Sequence, residues 1–286
     1  MEKQKEKIIP MKFNVGLQKY EPDLEKLKED AERELIVKKI TEKREFSELP
    51  EKDVEFALSH FIKRQVSDEE KIKLTRELLH KVFSSFTSRK LLSPKDKSEE
   101  WILRKHFSTR ERLPYYKEIY RRIFRGFERK VSVVDLGAGI NGFSYGFFKE
   151  AKVKVDYIGI EAIGQLVSIT NDYFKKKKIN GKAVHLSLFE TDKIKELINK
   201  TKSPRIIFLF KTIDSMEMLS RDYSLKLIKE IAPFVDLIAV SFAVKSMVKR
   251  KRFKVNRRWI VEFIENNFKI IDNFEFGGEK YICFSL

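Results

Sequence analysis

Apolar positions along the chain change their period near Gly126. Between residues 22 and 127 they recur every three or four residues, as on helices with one buried face. In residues 48–62, Val54, Leu58, Phe61 and Ile62 share a stripe, and Pro50 stands at a tolerated first-turn position. Ser67-Asp-Glu-Glu70 has the form of a capping box opening a helix whose stripe is Ile72, Leu78, Leu79, Val82, Phe83 and Phe86. A further helix passes through Trp101, and no glycine interrupts the chain between Gly16 and Gly126, which suits a helical bundle. Residues 1–20 have no clear period and read as an arm. After Gly126 short apolar runs alternate with helical stretches, predicting strands over 131–136, 155–161, 183–188, 205–211 and 237–242, with helices between them such as 224–231 and 257–266. Two last apolar runs, 268–276 and 280–286, are joined by Gly277-Gly278 and predict an antiparallel hairpin. The expected fold class is therefore α/β: a seven-stranded, Rossmann-like, doubly wound sheet over residues 106–286, preceded by a helical domain over 1–105.

The first predicted strand runs into Asp135-Leu-Gly137-Ala-Gly139-Ile-Asn141-Gly142, and the second ends in Glu161. Glycines of this kind let the backbone approach a nucleoside cofactor, and a carboxylate at the next strand tip can accept both ribose hydroxyls. Gly137-x-Gly139-x-x-Gly142 alone fits both NAD and S-adenosylmethionine (SAM). Asp135, two residues before the first glycine, and the closing antiparallel hairpin favour SAM, because a dehydrogenase half-sheet has no such ending.

Composition narrows the partners. The net charge is +17 over 286 residues; +9 falls in residues 81–130 and +8 in residues 245–258, so the rest of the chain cancels. Positive charge concentrated in two blocks that flank the cofactor motifs calls for a polyanion, and nucleic acid is the expected partner; an isolated run such as 175–178 reads more simply as a solvated face. The single cysteine, Cys283, excludes an internal disulfide or a cysteine-based metal cluster, and the four histidines have no ligand spacing, so no metal is expected. No apolar run approaches a membrane span, and the first residues lack the apolar core of a signal peptide, so a soluble, cytoplasmic protein with no membrane partner is expected. Heavy use of Lys and Glu leans towards a thermophile's composition.

The segment His106-Phe-Ser108-Thr-Arg110-Glu-Arg112-Leu-Pro114 lies ahead of the first strand. Ser108 and Glu111 are spaced as a capping box, and Pro114 ends that turn and starts another helix. Either this is an ordinary capped linker, or it holds Arg110 at the mouth of the cofactor site, where a guanidinium can clamp a carboxylate. With the glycine turn, Leu209-Phe-Lys-Thr-Ile-Asp-Ser-Met-Glu217 and Val240-Ser-Phe-Ala-Val-Lys-Ser-Met247, this segment resembles the 16S rRNA (guanine-N7) methyltransferases of the aminoglycoside-resistance type, the Rmt and ArmA group. The likeness runs from about residue 100 to the C-terminus and is that of an archaeal or thermophile relative. Departures are Gly142, where that family usually has Pro, and Asp214 or Ala243, where Pro is also usual; the basic arm over 249–258 is richer.

The resemblance implies a SAM-dependent rRNA methyltransferase whose helical domain docks on small-subunit rRNA or the 30S subunit. Guanine N7 carries an in-plane lone pair and needs no general base, so catalysis would be in-line placement. Cys283 lies in a predicted strand and reads as a buried thiol, not a nucleophile, and Lys211-Thr-Ile-Asp214 lacks the proline pair common in amine methyltransferases. From their positions Gly137, Ala138 and Gly139 are expected near the methionine and ribose, Glu161 at the ribose, and Leu188 and Phe189 at the adenine. Thr109, Arg110, Asp135, Asn141, Ala162 and Phe210 complete the expected cofactor set. Lys211 and Glu217 are the candidate catalytic residues beside the target base; Lys211 either meets an RNA phosphate or pairs with Glu217. Lys90, Arg104, Lys105, Lys245, Lys249, Arg250, Lys251, Arg252, Arg257 and Arg258 are the candidate RNA contacts. His106, His185, Trp101 and Trp259 read as structural. A methyltransferase acting on tRNA, a non-catalytic ribosome-assembly factor and an NAD-binding oxidoreductase are the competing readings.

Overall fold

The computed structural model describes residues 24–84, 91, 97–127, 130–244 and 257–286. The chain forms two compact units, residues 1–35 and residues 36–286. Helix α1 (Leu24–Thr41) contains all the described residues of the first unit. Residues 36–105 therefore share a compact unit with the sheet.

In the second unit the helical periods become α2 (Glu51–Ser59), α3 (Asp68–Leu79), α4 (Glu99–Lys105), α5 (Phe107–Arg112) and α6 (Tyr116–Ile123). Ser67 Oγ accepts from the Glu70 amide at 3.3 Å and Ser98 Oγ from the Trp101 amide at 3.2 Å, each satisfying an otherwise orphaned donor of a first turn. The stripe of α3 continues into a π-helical turn, His80–Ser84, and buries Ile72, Leu79 and Val82; Phe86 lies outside the described residues. Pro114 sits in a 3₁₀ turn, Leu113–Tyr115, that separates α5 from α6.

The sheet contains β1 (Val131–Leu136), β2 (Val155–Glu161), β3 (Gly181–His185), β4 (Arg205–Phe210), β5 (Leu237–Ala243), β6 (Lys269–Phe276) and β7 (Glu279–Ser285). Their order is β3-β2-β1-β4-β5-β7-β6. The first five are parallel, and β7 enters antiparallel between β5 and β6. Helices α7 (Tyr145–Glu150), α8 (Gly164–Lys177), α9 (Thr191–Asn199), α10 (Ile213–Leu219), α11 (Tyr223–Ile231) and α12 (Arg258–Asn267) make the connections. β1 is buried at every residue, as a central parallel strand covered on both faces must be. β4 stops at Phe210, one residue before its expected end, because Lys211 takes a left-handed φ of 57°. β3 ends at His185 instead of 188, which frees the next residues to line a cleft.

Alternate strand residues face two cores. Val131, Val133, Phe208 and Phe210 pack with Ile40, Phe46, Leu58 and Tyr120 from the helical segment. Val134, Leu136, Ile207 and Leu209 pack with Ile194, Leu227, Ile228 and Ile260 on the other face. Within this unit, helices α2 to α8 thus cover one side of the sheet, and α9 to α12 cover the other.

The third glycine of the turn after β1 serves this packing. A Cβ on Gly142 would stand 2.8 Å from both the Phe174 ring and the Thr170 methyl of α8, two buried side chains with little room to move. Gly142→Ala should cost about 1 to 3 kcal/mol of stability through overpacking. Urea unfolding is the measurement, and an unchanged midpoint would show that α8 yields freely.

Candidate active site

At the carboxyl ends of β1, β2 and β4, the usual place for a ligand in an open parallel sheet, lies a cleft. Gly137, Ala138, Gly139 and Asn141 line it from the turn after β1, and Glu161, Ala162 and Ile163 from the end of β2. Leu188 and Phe189 contribute beyond β3, and Phe210, Lys211 and Thr212 after β4. His106, Ser108, Thr109 and Arg112 close it from the α5 region, Asp53 from α2, and Val82, Phe83, Met216 and Leu219 add apolar wall, with Ser215 among them.

The glycine turn is held open by close approach. Gly137 and Gly139 have φ of 70° and 52°, and a Cβ on Gly137 would lie 2.6 Å from Thr212 Cγ2. Thr212 is fixed there because its hydroxyl donates to the Leu136 carbonyl at 3.0 Å. The buried Glu161 carboxylate stitches this turn to β2: Oε2 accepts from the Gly139 amide at 2.7 Å and Oε1 from the Ile163 amide at 2.9 Å. Burial raises its carboxyl above the usual value, and these amides work in the opposite direction. With about four acceptor positions against these backbone donors, the carboxylate keeps capacity for a hydroxyl donor. Asp135 Oδ2 accepts from Asn141 Nδ2 and from the Tyr157 hydroxyl, both at 2.7 Å; burial raises it too, opposed by the same two bonds.

The other wall is cationic. Arg112 donates through Nη1 to Asn141 Oδ1 at 3.0 Å and through Nη2 to Ser108 Oγ, and its Nε lies 3.4 Å from Glu279 Oε2. Burial alone would lower its pKa, but Glu279, with Tyr116, Tyr281 and Asp135 adding, outweighs this and keeps the guanidinium charged. Lys211 Nζ pairs with Glu111 and, at 3.2 Å, with Glu279. Between these cations the His106 imidazole is pushed down to about 3, by burial first and then by Arg112 and Lys211, so it is neutral at ordinary pH.

Of the expected cofactor residues, Thr109, Asp135, Gly137, Ala138, Gly139, Asn141, Glu161, Ala162, Leu188, Phe189 and Phe210 all line this cleft. Arg110 does not. It is exposed, lies 4.4 Å from the Phe107 ring centroid, and borders a separate depression with Glu100, Arg104 and Glu150. Helix α5 begins at Phe107, not after a Ser108 cap, and Ser108 Oγ is occupied by Arg112. Of the two candidate catalytic residues Lys211 lines the cleft, whereas Glu217 accepts from the Asp222 and Ser224 amides at 2.6 and 2.9 Å and so caps α11. The partner of Lys211 is not Glu217.

Among the expected RNA contacts, Lys90, Lys245, Lys249, Arg250, Lys251 and Arg252 lie outside the described residues. Arg104 pairs with Glu100, Lys105 lies 5.2 Å from the Trp101 ring, and Arg258 pairs with Glu262. Arg257 is largely buried against Asp214, with its guanidinium also on the Ala243 carbonyl. Cys283 is buried, its thiol pushed up to about 12 by burial, which suits the buried reading. Among the described residues no cluster could hold a metal, and no helix is long and apolar enough to cross a membrane.

The sequence reading missed Arg112, Glu279, Thr212 and Asp53. Asp53 left a trace: it stands four residues before Ala57 on the buried stripe of α2, where an acid has no packing reason to be.

A family model described as "Ribosomal RNA methyltransferase (FmrO)" matches residues 97–264, more than half of the chain. A 16S rRNA (guanine(1405)-N(7))-methyltransferase from Proteus mirabilis is 42% identical over 60 residues, a stretch that spans 21% of this chain and 21% of that relative. Among solved structures, the 16S rRNA methyltransferase RmtF in complex with S-adenosyl-L-homocysteine superposes with a TM-score of 0.70 at 17% identity, covering 88% of this chain and 97% of that one. An rRNA methylase from Escherichia coli superposes with a TM-score of 0.67 at 17% identity, covering 87% and 98%. At such identities the superpositions establish a shared fold.

The titration of Asp53 gives a test of the cleft's interior. Burial first, with Glu161 and Glu190 adding, raises its carboxyl from 3.8 to about 7, against a bond from Ser187. The folded state then binds this proton more tightly than the unfolded chain, so the stability tied to Asp53 is present below pH 4 and is lost as pH rises through about 7. Asp53→Asn should be more stable than the parent at pH 8, by up to about 4 kcal/mol, and should lose that advantage by pH 4. Denaturant unfolding at the two pH values decides it, and an advantage independent of pH would contradict the buried-acid assignment.

Proposed function

This chain belongs to the ribosomal RNA methyltransferase (FmrO) family, and we propose that it transfers the methyl group of SAM to N7 of a guanine in small-subunit rRNA. The observation that carries the reading is the Glu161 carboxylate, pinned by backbone amides beside a left-handed glycine turn and lining the cleft. That arrangement suits a ribose with two free hydroxyls. Strand order orients the rest: the side beyond β3, with Leu188 and Phe189, takes the adenine, and the side between β1 and β4 takes the methionine.

On the methionine side the charged group is Arg112. We assign it the carboxylate-facing role expected for Arg110, because its guanidinium lines the cleft while Arg110 faces away. Bound SAM supplies an electrophilic sulfonium methyl. Guanine N7 attacks through an in-plane lone pair with no proton to remove, so the protein's work is placement. The cleft supports this division of labour. Asp135 and Glu161 are engaged by hydrogen bonds, and His106 is neutral and shielded between cations. Lys211 and Glu217 then act as positioning residues, Lys211 by holding the wall between Glu111 and Glu279 and Glu217 by fixing the start of α11 behind it.

Residues 81–130, which include the exposed Arg104 and the half-buried Lys105, and the basic block at 245–258 form the proposed rRNA footprint. Incubation with 30S subunits and SAM, followed by mapping of N7-methylguanine in the 16S rRNA, tests the reaction directly; methylation of tRNA alone would replace the substrate class.

Glu161→Ala should weaken binding of S-adenosylhomocysteine by roughly 5- to 150-fold, the worth of about 1 to 3 kcal/mol of charge-assisted hydrogen bonds. Calorimetry measures it, and tight NAD binding in place of S-adenosylhomocysteine would displace the SAM reading. For the footprint, replacing Lys249, Arg250, Lys251 and Arg252 together should lower the slope of log K against log salt for rRNA by about 3, at roughly 0.7 to 0.9 per phosphate contact. Affinity for S-adenosylhomocysteine should stay constant, and an unchanged slope would remove this arm from the interface.

A further inference from the structure

Asp53 belongs to the helical segment that precedes the sheet domain, yet it lines the cleft with Glu161 and Phe189. It is 2% exposed, and its Oδ2 has no hydrogen-bond partner. A buried carboxylate oxygen without a donor is costly to keep, and its presence in a ligand cleft points to a donor that arrives with the ligand. The neighbouring Ser187 hydroxyl already accepts from the Phe189 amide at 3.0 Å, so its one proton is free to go to Asp53. That bond fixes the carboxylate and leaves Oδ2 waiting.

The placement of Asp53 is enforced by its neighbours on α2. Lys52 Nζ donates to the Phe189 carbonyl at 2.8 Å, and the Phe56 ring stacks on Phe189 with centroids 4.4 Å apart. Just upstream, the Glu48 carbonyl accepts from the Gly164 amide at 3.2 Å, where a Cβ on Gly164 would meet Glu48 Oε2 at 2.5 Å. Three contacts therefore dock residues 48–56 on the loop after β3 and the start of α8, the edge of the cleft that takes the purine.

We propose that Asp53 is the residue that selects the nucleobase of the cofactor, its Oδ2 accepting a hydrogen bond from the exocyclic amine of adenine. This rests on the SAM reading above. The base edge nearest Leu188 and Phe189 must offer a donor to Oδ2; a 6-amino purine does, and a 6-oxo purine turns a carbonyl towards the carboxylate. The helical segment would then complete the cofactor site besides meeting RNA.

The test compares S-adenosylhomocysteine with S-inosylhomocysteine, which differ only at the purine 6-position and its N1 proton, by calorimetric titration of the full chain at about pH 8, above the raised Asp53 value, so that the carboxylate is the ionised acceptor. Wild-type protein should prefer the adenosyl compound by at least about 30-fold, and Asp53→Asn and Asp53→Ala should each reduce that preference to within about 3-fold, with Glu161→Ala weakening both compounds alike. Circular dichroism identifies any variant that fails to fold, and the wild-type ratio is informative without a variant. A wild-type ratio near one, or a preference that survives in a folded Asp53→Ala protein, overturns the proposal and leaves the cofactor reading standing. Failure of wild-type protein to bind either compound overturns both.

Discussion

One buried carboxylate, Glu279, ties together segments that are far apart in the chain. It opens β7 and is almost fully enclosed, and it faces Arg112 from α5, Lys211 beyond β4 and the Ser241 hydroxyl of β5. Two cations brought into a dry interior are tolerable only against such a charge, and loss of one partner from a buried group of this kind typically costs about 3 to 5 kcal/mol. The cleft's polar wall follows from it. Arg112, held by Glu279, reaches Asn141; Asn141 in turn reaches Asp135, which meets Tyr157. Lys211, held in a left-handed conformation, sets Thr212 against Gly137. The inserted hairpin of β6 and β7 is thus part of what shapes the turn after β1, although β7 pairs with neither β1 nor β2.

Much of the fold was legible because strand burial is written in short apolar runs. β1 and β2 match their expected ranges, and the other strands differ by one to three residues at an end. The glycine turn and Glu161 were legible for the same reason: backbone conformation and strand-tip position follow from local sequence. The choice between Arg110 and Arg112 was not. Residues two apart on a helix point about 200° apart, so taking Ser108 as the cap instead of starting α5 at Phe107 brought the wrong guanidinium to the cleft. Glu279 and Asp53 are harder still, since their meaning depends on partners 167 residues back at Arg112 and 134 residues ahead at Ser187. No local pattern states such pairings. Glu217 shows the converse, an acid near the expected site whose lone pairs are spent on helix amides.

The attachment of α2 to the loop after β3 also bears on how the chain acquires its structure. The Lys52 bond to the Phe189 carbonyl spans 137 residues, and Phe56 has no Phe189 to stack on until most of the parallel strands exist. During synthesis, at roughly 5 to 20 residues per second, residues 48–56 leave the ribosome several seconds before their docking surface does. The long loop closure means that this wall of the cleft is expected to form late, after the sheet is assembled. A segment that docks last is also among the first to detach, so a ligand gripped between α2 and the sheet would raise protection of the α2 amides from hydrogen exchange more than that of β1. In that sense the cleft is a clasp whose tightness reports on the helical segment's attachment.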